Sequence, residues 1–159
     1  MSLKKGINSY ATVAEADAYF EDRLDAAAWS LASEEQREMA LVTATTIIDT
    51  MRWLGYVKDS EQRLAFPRVV KYFDDKLGME VQLDSMEVPE RILVGLFEQA
   101  YHLLNTEGIL DEVGSLDSLG VGTISIDIKR EAALIPPIVR KVVKPLLRTA
   151  GVLTWWRAN

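Results

Sequence analysis

The strongest constraint on how this chain can fold lies between Pro89 and Gly108. Ile92, Leu93, Leu96, Phe97, Ala100, Leu103 and Leu104 recur at three- and four-residue steps, so on a helix they share one broad apolar face. Pro89 suits a first helical position, where its missing N–H costs nothing, and Gly108 suits the stop. A face that wide must be covered, and other segments have to cover it.

Three segments have the right pattern. Thr12-x-x-Glu15 is a capping box: the threonine oxygen accepts an orphan N–H, and the glutamate reaches back to the cap N–H. Val13, Ala16, Phe20 and Leu24 follow at helical spacing, with Tyr19 expected to pack on a neighbour. Glu15 and Asp17 lie where the helix dipole favours anions, so this acidic run reads as a helix start and not as a reactive cluster. Ser33-Glu-Glu-Gln36 opens a second helix, which should run to about Arg52 with Leu41, Ala44, Ile47, Ile48 and Met51 on one stripe and Gly55 as its stop. Ala26 to Trp29 joins these two helices, with Trp29 sealing the corner. After Pro136-Pro137 a last helix presents Ile138, Val139, Val142, Val143, Leu146 and Leu147, and Pro145 should kink or split it.

Strand signals are sparser. Ile124, Ile126 and Ile128 alternate with Thr123, Ser125 and Asp127, the period of a strand with one buried face. Such a strand needs a partner, either the extended segments before Pro89 or a strand from another subunit. Pro67 biases Phe66 towards extended chain, and Val69 to Leu83 suggests a short irregular strand pair. The fold predicted is mainly α: a small helical bundle of about four helices with a short β hairpin or extended strand segment. It forms one domain over residues 1–159, with residues 1–10 as an arm and 149–159 as a tail.

Composition argues against several kinds of chemistry. The chain has no cysteine, which removes disulfides and thiolate sites, and its one histidine, His102, cannot build a His-rich metal centre. His102 lies beside the Pro89 helix's apolar face and reads as a packed or surface residue. No G-x-S-x-G or Walker pattern occurs, and Gly120-Val-Gly122 precedes a strand, where no helix dipole would face a phosphate. Glu21, Asp22 and Asp25 do not match a calcium loop, and Asp74-Asp75 stands too isolated to hold a metal. The expectation is therefore no enzyme, no cofactor and no catalytic or metal-binding residue. No apolar run is long enough to span a membrane, and the N-terminal lysines lack the hydrophobic stretch of a secretory signal.

The net charge of -6 is unevenly spread. Residues 1–128 hold 11 Lys/Arg against 23 Asp/Glu, whereas residues 129–159 hold 7 against 1. Lys129, Arg130, Arg140, Lys141, Lys144 and Arg148 thus form a candidate contact for nucleic acid or an acidic partner, with Trp155, Trp156 and Arg157 beyond them.

Asn8 to Phe20, Arg23 to Trp29, Ala44-Thr with Ile48-Asp49, Trp53-Leu-Gly, Leu64-Ala-Phe-Pro-Arg68, Val88-Pro-Glu-Arg-Ile92 and Val121 to Ile126 occur in an order that resembles a family of small tailed-phage proteins. The resemblance reaches about residue 148, and its markers are structural. Members carry two labels: head–tail connector or adaptor, and DnaT-like single-stranded-DNA-binding protein. The first label implies a structural protein that forms a homo-oligomeric ring beneath the phage portal, touches a tail or stopper protein and passes DNA through its lumen without reading sequence. Its place would be the virion neck, and the host cytoplasm during assembly. On that reading Arg63, Phe66, Arg68, Ile124, Ile126 and Ile128 are candidate subunit contacts. The second label implies a replication accessory that binds single strands, and it is held as the alternative.

Overall fold

In the computed structural model of the chain, residues 2–84, 86–106, 108–110 and 134–148 are described. The elements are α1 (Val13–Glu21), α2 (Ala27–Leu31), α3 (Glu34–Asp49), β1 (Tyr56–Val57), β2 (Arg68–Asp74), β3 (Met79–Leu83), α4 (Glu90–Asn105), α5 (Pro137–Val143) and a 3-10 turn (Lys144–Leu146). The fold is mainly α with one small antiparallel sheet. Helix α4 sits at its centre, packed on α3 and on α5, and Ile92, Leu96 and Ala100 are wholly buried. Gly95 explains how α5 comes so close: a Cβ there would lie 2.8 Å from Val143 Cγ1.

Both capping boxes form, at Thr12 with Glu15 and at Ser33 with Gln36. Helix α1 stops at Glu21, before Leu24, because the chain turns through Asp25 at a φ of 58°. Leu24 is therefore off the helix and 86% exposed, not part of the apolar stripe. Tyr19 packs on Phe97, with ring centroids 5.1 Å apart. The joint at Ala26 to Trp29 contains a short helix of its own, α2, and Trp29 does close the corner, stacked 4.7 Å from Phe20 with its Nε1 donating to Asp17.

Helix α3 ends at Asp49, three residues short of the expected Arg52, where the Thr50 hydroxyl bonds back to the Ile47 carbonyl. Gly55 has another task. It takes a φ of 69°, and a Cβ there would lie 1.9 Å from the Val69 carbonyl oxygen, so only glycine lets this segment pass β2.

The sheet order is β1-β2-β3. Tyr56 pairs with Val69, and the β2–β3 ladder runs in regular register from Val70↔Leu83 to Asp74↔Met79. The expected irregular strand pair is thus a regular hairpin. Asp74 Oδ1 accepts the N–H groups of Lys76 and Leu77 and so shapes its turn. Strand alternation buries Val70 and Asp74 and turns Val69, Lys71 and Phe73 to the other side.

Of the expected subunit contacts, Phe66 belongs to the interior instead, and Arg68 is half-buried. Phe66 is buried, edge-on to Tyr10 and Trp53, because the chain entering β2 must cover the base of the bundle. Arg68 donates to the carbonyls of Leu54, Ala65 and Gly55, tying down loop oxygens that would otherwise lack partners. Arg63 is exposed. Ile124, Ile126 and Ile128 lie outside the described residues, as do Lys129 and Arg130.

Under Phe66, the buried Tyr10 hydroxyl donates to the Asp49 carboxylate and accepts the Phe66 N–H. Burial, and then the adjacent carboxylate, push the Tyr10 hydroxyl's pKa far up. Burial also raises that of Asp49, against the hydrogen bonds it accepts from Tyr10 and Ala65. Among the described residues no helix is long and apolar enough to cross a membrane.

Candidate nucleic-acid interface

The basic end of the sequence is held in place by apolar anchors. Pro137 sits in the first turn of α5, and Val139, Val143 and Leu146 are buried against the bundle. Gln99, itself buried on α4, donates to the Leu134 carbonyl at 2.9 Å and fixes the approach to α5. Pro145 splits the helix as expected: α5 stops at Val143 and a 3-10 turn follows. Ile138, expected on the apolar face, is 46% exposed.

Beyond that turn the chain lies antiparallel to the segment leaving α3. Leu147 forms a bridge with Trp53, the Leu54 N–H donates to the Leu146 carbonyl, and the Arg148 N–H donates to the Arg52 carbonyl at 2.8 Å. This pairing sets Arg148 beside Arg52, a residue the charge pattern along the sequence did not single out. A depression of about 430 Å³ forms here, lined by Arg52, Arg140 and Arg148 with Thr50, Ile135 and Leu147 among its walls. Among the described residues no carboxylate lines it. Arg52 and Arg148 are exposed, as are Lys141 on α5 and Lys144 at the start of the 3-10 turn.

The electrostatics are one-sided. None of Arg52, Lys141, Lys144 and Arg148 has an ion pair among the described residues. Asp49, three residues before Arg52, gives its oxygens to Tyr10 and Ala65. Elsewhere several cations are matched, among them Arg23 with Glu98, Arg37 with Asp17 and Lys58 with Asp84, while Lys4, Arg63 and Lys76 have no ion pair among the described residues. Of the six residues expected as a basic contact, Arg140 and Arg148 are therefore brought together with Arg52, and Lys141 and Lys144 lie exposed on the same α5 and 3-10 segment. Such a surface suits phosphate oxygens, which guanidinium groups hold in bidentate fashion and ammonium groups hold as point charges.

No group of three or more His, Asp or Glu side chains is placed to hold a metal among the described residues. His102 is half-buried on α4.

Residues 2–158 match the model of a family described as "Putative DnaT-like ssDNA binding protein". The chain belongs to this family. Of the two labels that the sequence resemblance carries, this match bears the second, and the connector label gains no support from it. No curated protein and no solved structure matches the chain.

Proposed function

We propose that this DnaT-like family member works by binding, with no reaction of its own, and that its ligand is the phosphate backbone of single-stranded DNA. The observation that carries the reading is the group Arg52, Lys141, Lys144 and Arg148 at the junction of α3, α5 and the 3-10 turn, none of which has an ion pair among the described residues, whereas six described cations elsewhere do. Backbone neutralisation needs no sequence readout, which suits an accessory of replication or strand handling.

The test is fluorescence anisotropy of a labelled oligo-dT with rising salt. Binding should weaken along a log–log slope of about -0.7 for each phosphate neutralised. A Lys144→Glu, Arg148→Glu double variant should bind at least about tenfold more weakly. Absence of binding at low salt would overturn the reading.

A second reading, a ring-forming adaptor of the phage neck, has its own supporting observation. Around the N-terminal end of α3, Glu21, Asp22, Glu34 and Glu35 are exposed beside Leu24 and Leu31, which are 86% and 87% exposed. Arg52 and its basic neighbours sit past the other end of the same 16-residue helix, about 24 Å away. Opposite poles on one protomer allow head-to-tail contacts, which close into rings where the rotation permits. On this reading portal and tail proteins are the partners. Electron microscopy of the protein mixed with portals tests it: rings support the adaptor, and an unaltered small particle that binds oligo-dT supports the first reading.

A further inference from the structure

The aromatic residues of the described chain are almost all packed away, with two exceptions. Tyr56 is 65% exposed and Phe73 54% exposed. Both stand on one side of the sheet: Tyr56 is directly across from Val69, and Val69, Lys71 and Phe73 alternate outward along β2. Lys71 lies between the two rings. Beside Tyr56 the sheet surface is concave, a space of about 390 Å³ bordered by Gly55, Tyr56, Val69, Lys71 and Gln82. Gln82 is the cross-strand partner of Lys71, so an amide and an ammonium edge the same hollow.

We propose that this outer sheet face is a stacking platform for unpaired nucleobases, with Tyr56 and Phe73 as the rings. The proposal rests on the single-stranded-DNA reading and names a second part of the site. Three observations select this ligand. The face lies close to the basic surface, since Arg52 and Tyr56 are four positions apart, at most about 14 Å of chain. Val69 and Phe73 are four residues apart, so the rings stand roughly 13 Å apart along the strand, several times the ~3.4 Å base step of a duplex strand. Bases held at that spacing are not stacked on each other, which is a property of single strands. A basic track plus exposed rings is also the combination that holds single strands without sequence preference.

A second copy of the chain fits the face less well. The rings do not form one apolar patch, because the Lys71–Glu80 pair, 2.7 Å apart and exposed on both sides, lies between them. That surface pair is weak enough to open when a phosphate approaches Lys71.

The experiment compares anisotropy titrations of oligo-dT and of an abasic oligonucleotide of equal length, which has the same phosphates and no bases. Wild-type protein should prefer oligo-dT by about tenfold or more. A Tyr56→Leu, Phe73→Leu variant, which keeps the apolar area and removes the rings, should lose that preference while its abasic binding stays the same. Ultraviolet crosslinking of a bromodeoxyuridine oligonucleotide to the unaltered protein, mapped by mass spectrometry, should mark Tyr56 or Phe73 without any variant having to fold.

Equal wild-type affinity for the two oligonucleotides, or crosslinks confined to other residues, would overturn the platform and leave phosphate binding in place. Failure to bind either oligonucleotide would remove both readings. Unchanged DNA binding by the variant, with a lower particle mass in solution, would make the face a contact between copies and end the proposal.

Discussion

The two ends of α3 use charge in opposite ways. At the N-terminal end the cations serve the fold. Arg23 reaches both oxygens of Glu98, at 2.7 and 3.0 Å, and Tyr19 donates to the same carboxylate. Arg37 bonds Asp17 and the carbonyls of Trp29 and Ser30. At the C-terminal end, Arg52, Lys141, Lys144 and Arg148 have no carboxylate partner among the described residues, and their geometry comes from backbone pairing and buried valines. One end carries charge as internal structure, and the other holds it ready for a ligand. The two should therefore respond differently to the loss of a cation.

The largest difference is expected from Arg23. Glu98 is 3% exposed, so Arg23→Met leaves a buried carboxylate without its cation. Such a loss costs about 3–5 kcal/mol, read as the shift in a guanidinium unfolding curve. Arg148→Met should stay within about 0.5 kcal/mol and change only DNA binding. Equal effects at the two positions would end the contrast.

Next comes the packing that fixes the basic end. Gly95→Ala places a methyl group 2.8 Å from Val143 Cγ1. Overpacking of this kind costs about 1–3 kcal/mol. Because α5 carries the basic surface, the same variant should lower oligo-dT affinity although no charge has changed. An unfolding curve and a titration on one preparation check both effects.

Much of the fold was legible because it is written locally. The capping boxes at Thr12 and Ser33, the broad stripe on α4 and the break at Pro145 depend on neighbours a few residues away, and each is found as read. What was missed is non-local. Phe66 reads as an interface residue because nothing near it in sequence tells that Tyr10 and Trp53 close over it. Glu98 and Gln99 look like polar positions of α4 until Arg23 and Leu134 are brought to them. The basic surface was half legible: the run from Arg140 to Arg148 was plain in the charge pattern. Arg52 entered only through the pairing of Leu147 with Trp53, which the apolar Trp53-Leu-Gly run hinted at without naming a partner.

The pH dependence of the N-terminal end gives a finer test. The Tyr19 hydroxyl is pushed up to about 12, first by burial and then by its hydrogen bond to Glu98 and the charge of that carboxylate. A tyrosine raised above its unfolded value of about 10 favours the native state fully below pH 10 and loses that contribution as pH climbs towards 12. Wild-type stability should therefore fall more steeply than that of Tyr19→Phe across this window, and the two slopes should match below it. Parallel curves throughout would mean that neither burial nor Glu98 raises the hydroxyl's pKa in the native state.

The smallest effect on stability, and the most informative about partners, is expected at Leu24 and Leu31. Both are more than four-fifths exposed, so Leu24→Asp with Leu31→Asp should move the unfolding midpoint by no more than about 0.5 kcal/mol. If the acidic pole only keeps the molecule soluble, the double variant should sediment like the wild type and bind oligo-dT slightly less, through added negative charge. If that pole meets the basic pole of a neighbour, the substitution removes the apolar centre of the contact and leaves only its charged rim, and head-to-tail assembly should weaken at any salt concentration. Sedimentation velocity at two salt concentrations separates these cases. A salt-sensitive association that the double variant abolishes would show that the ends of α3 are complementary as well as different.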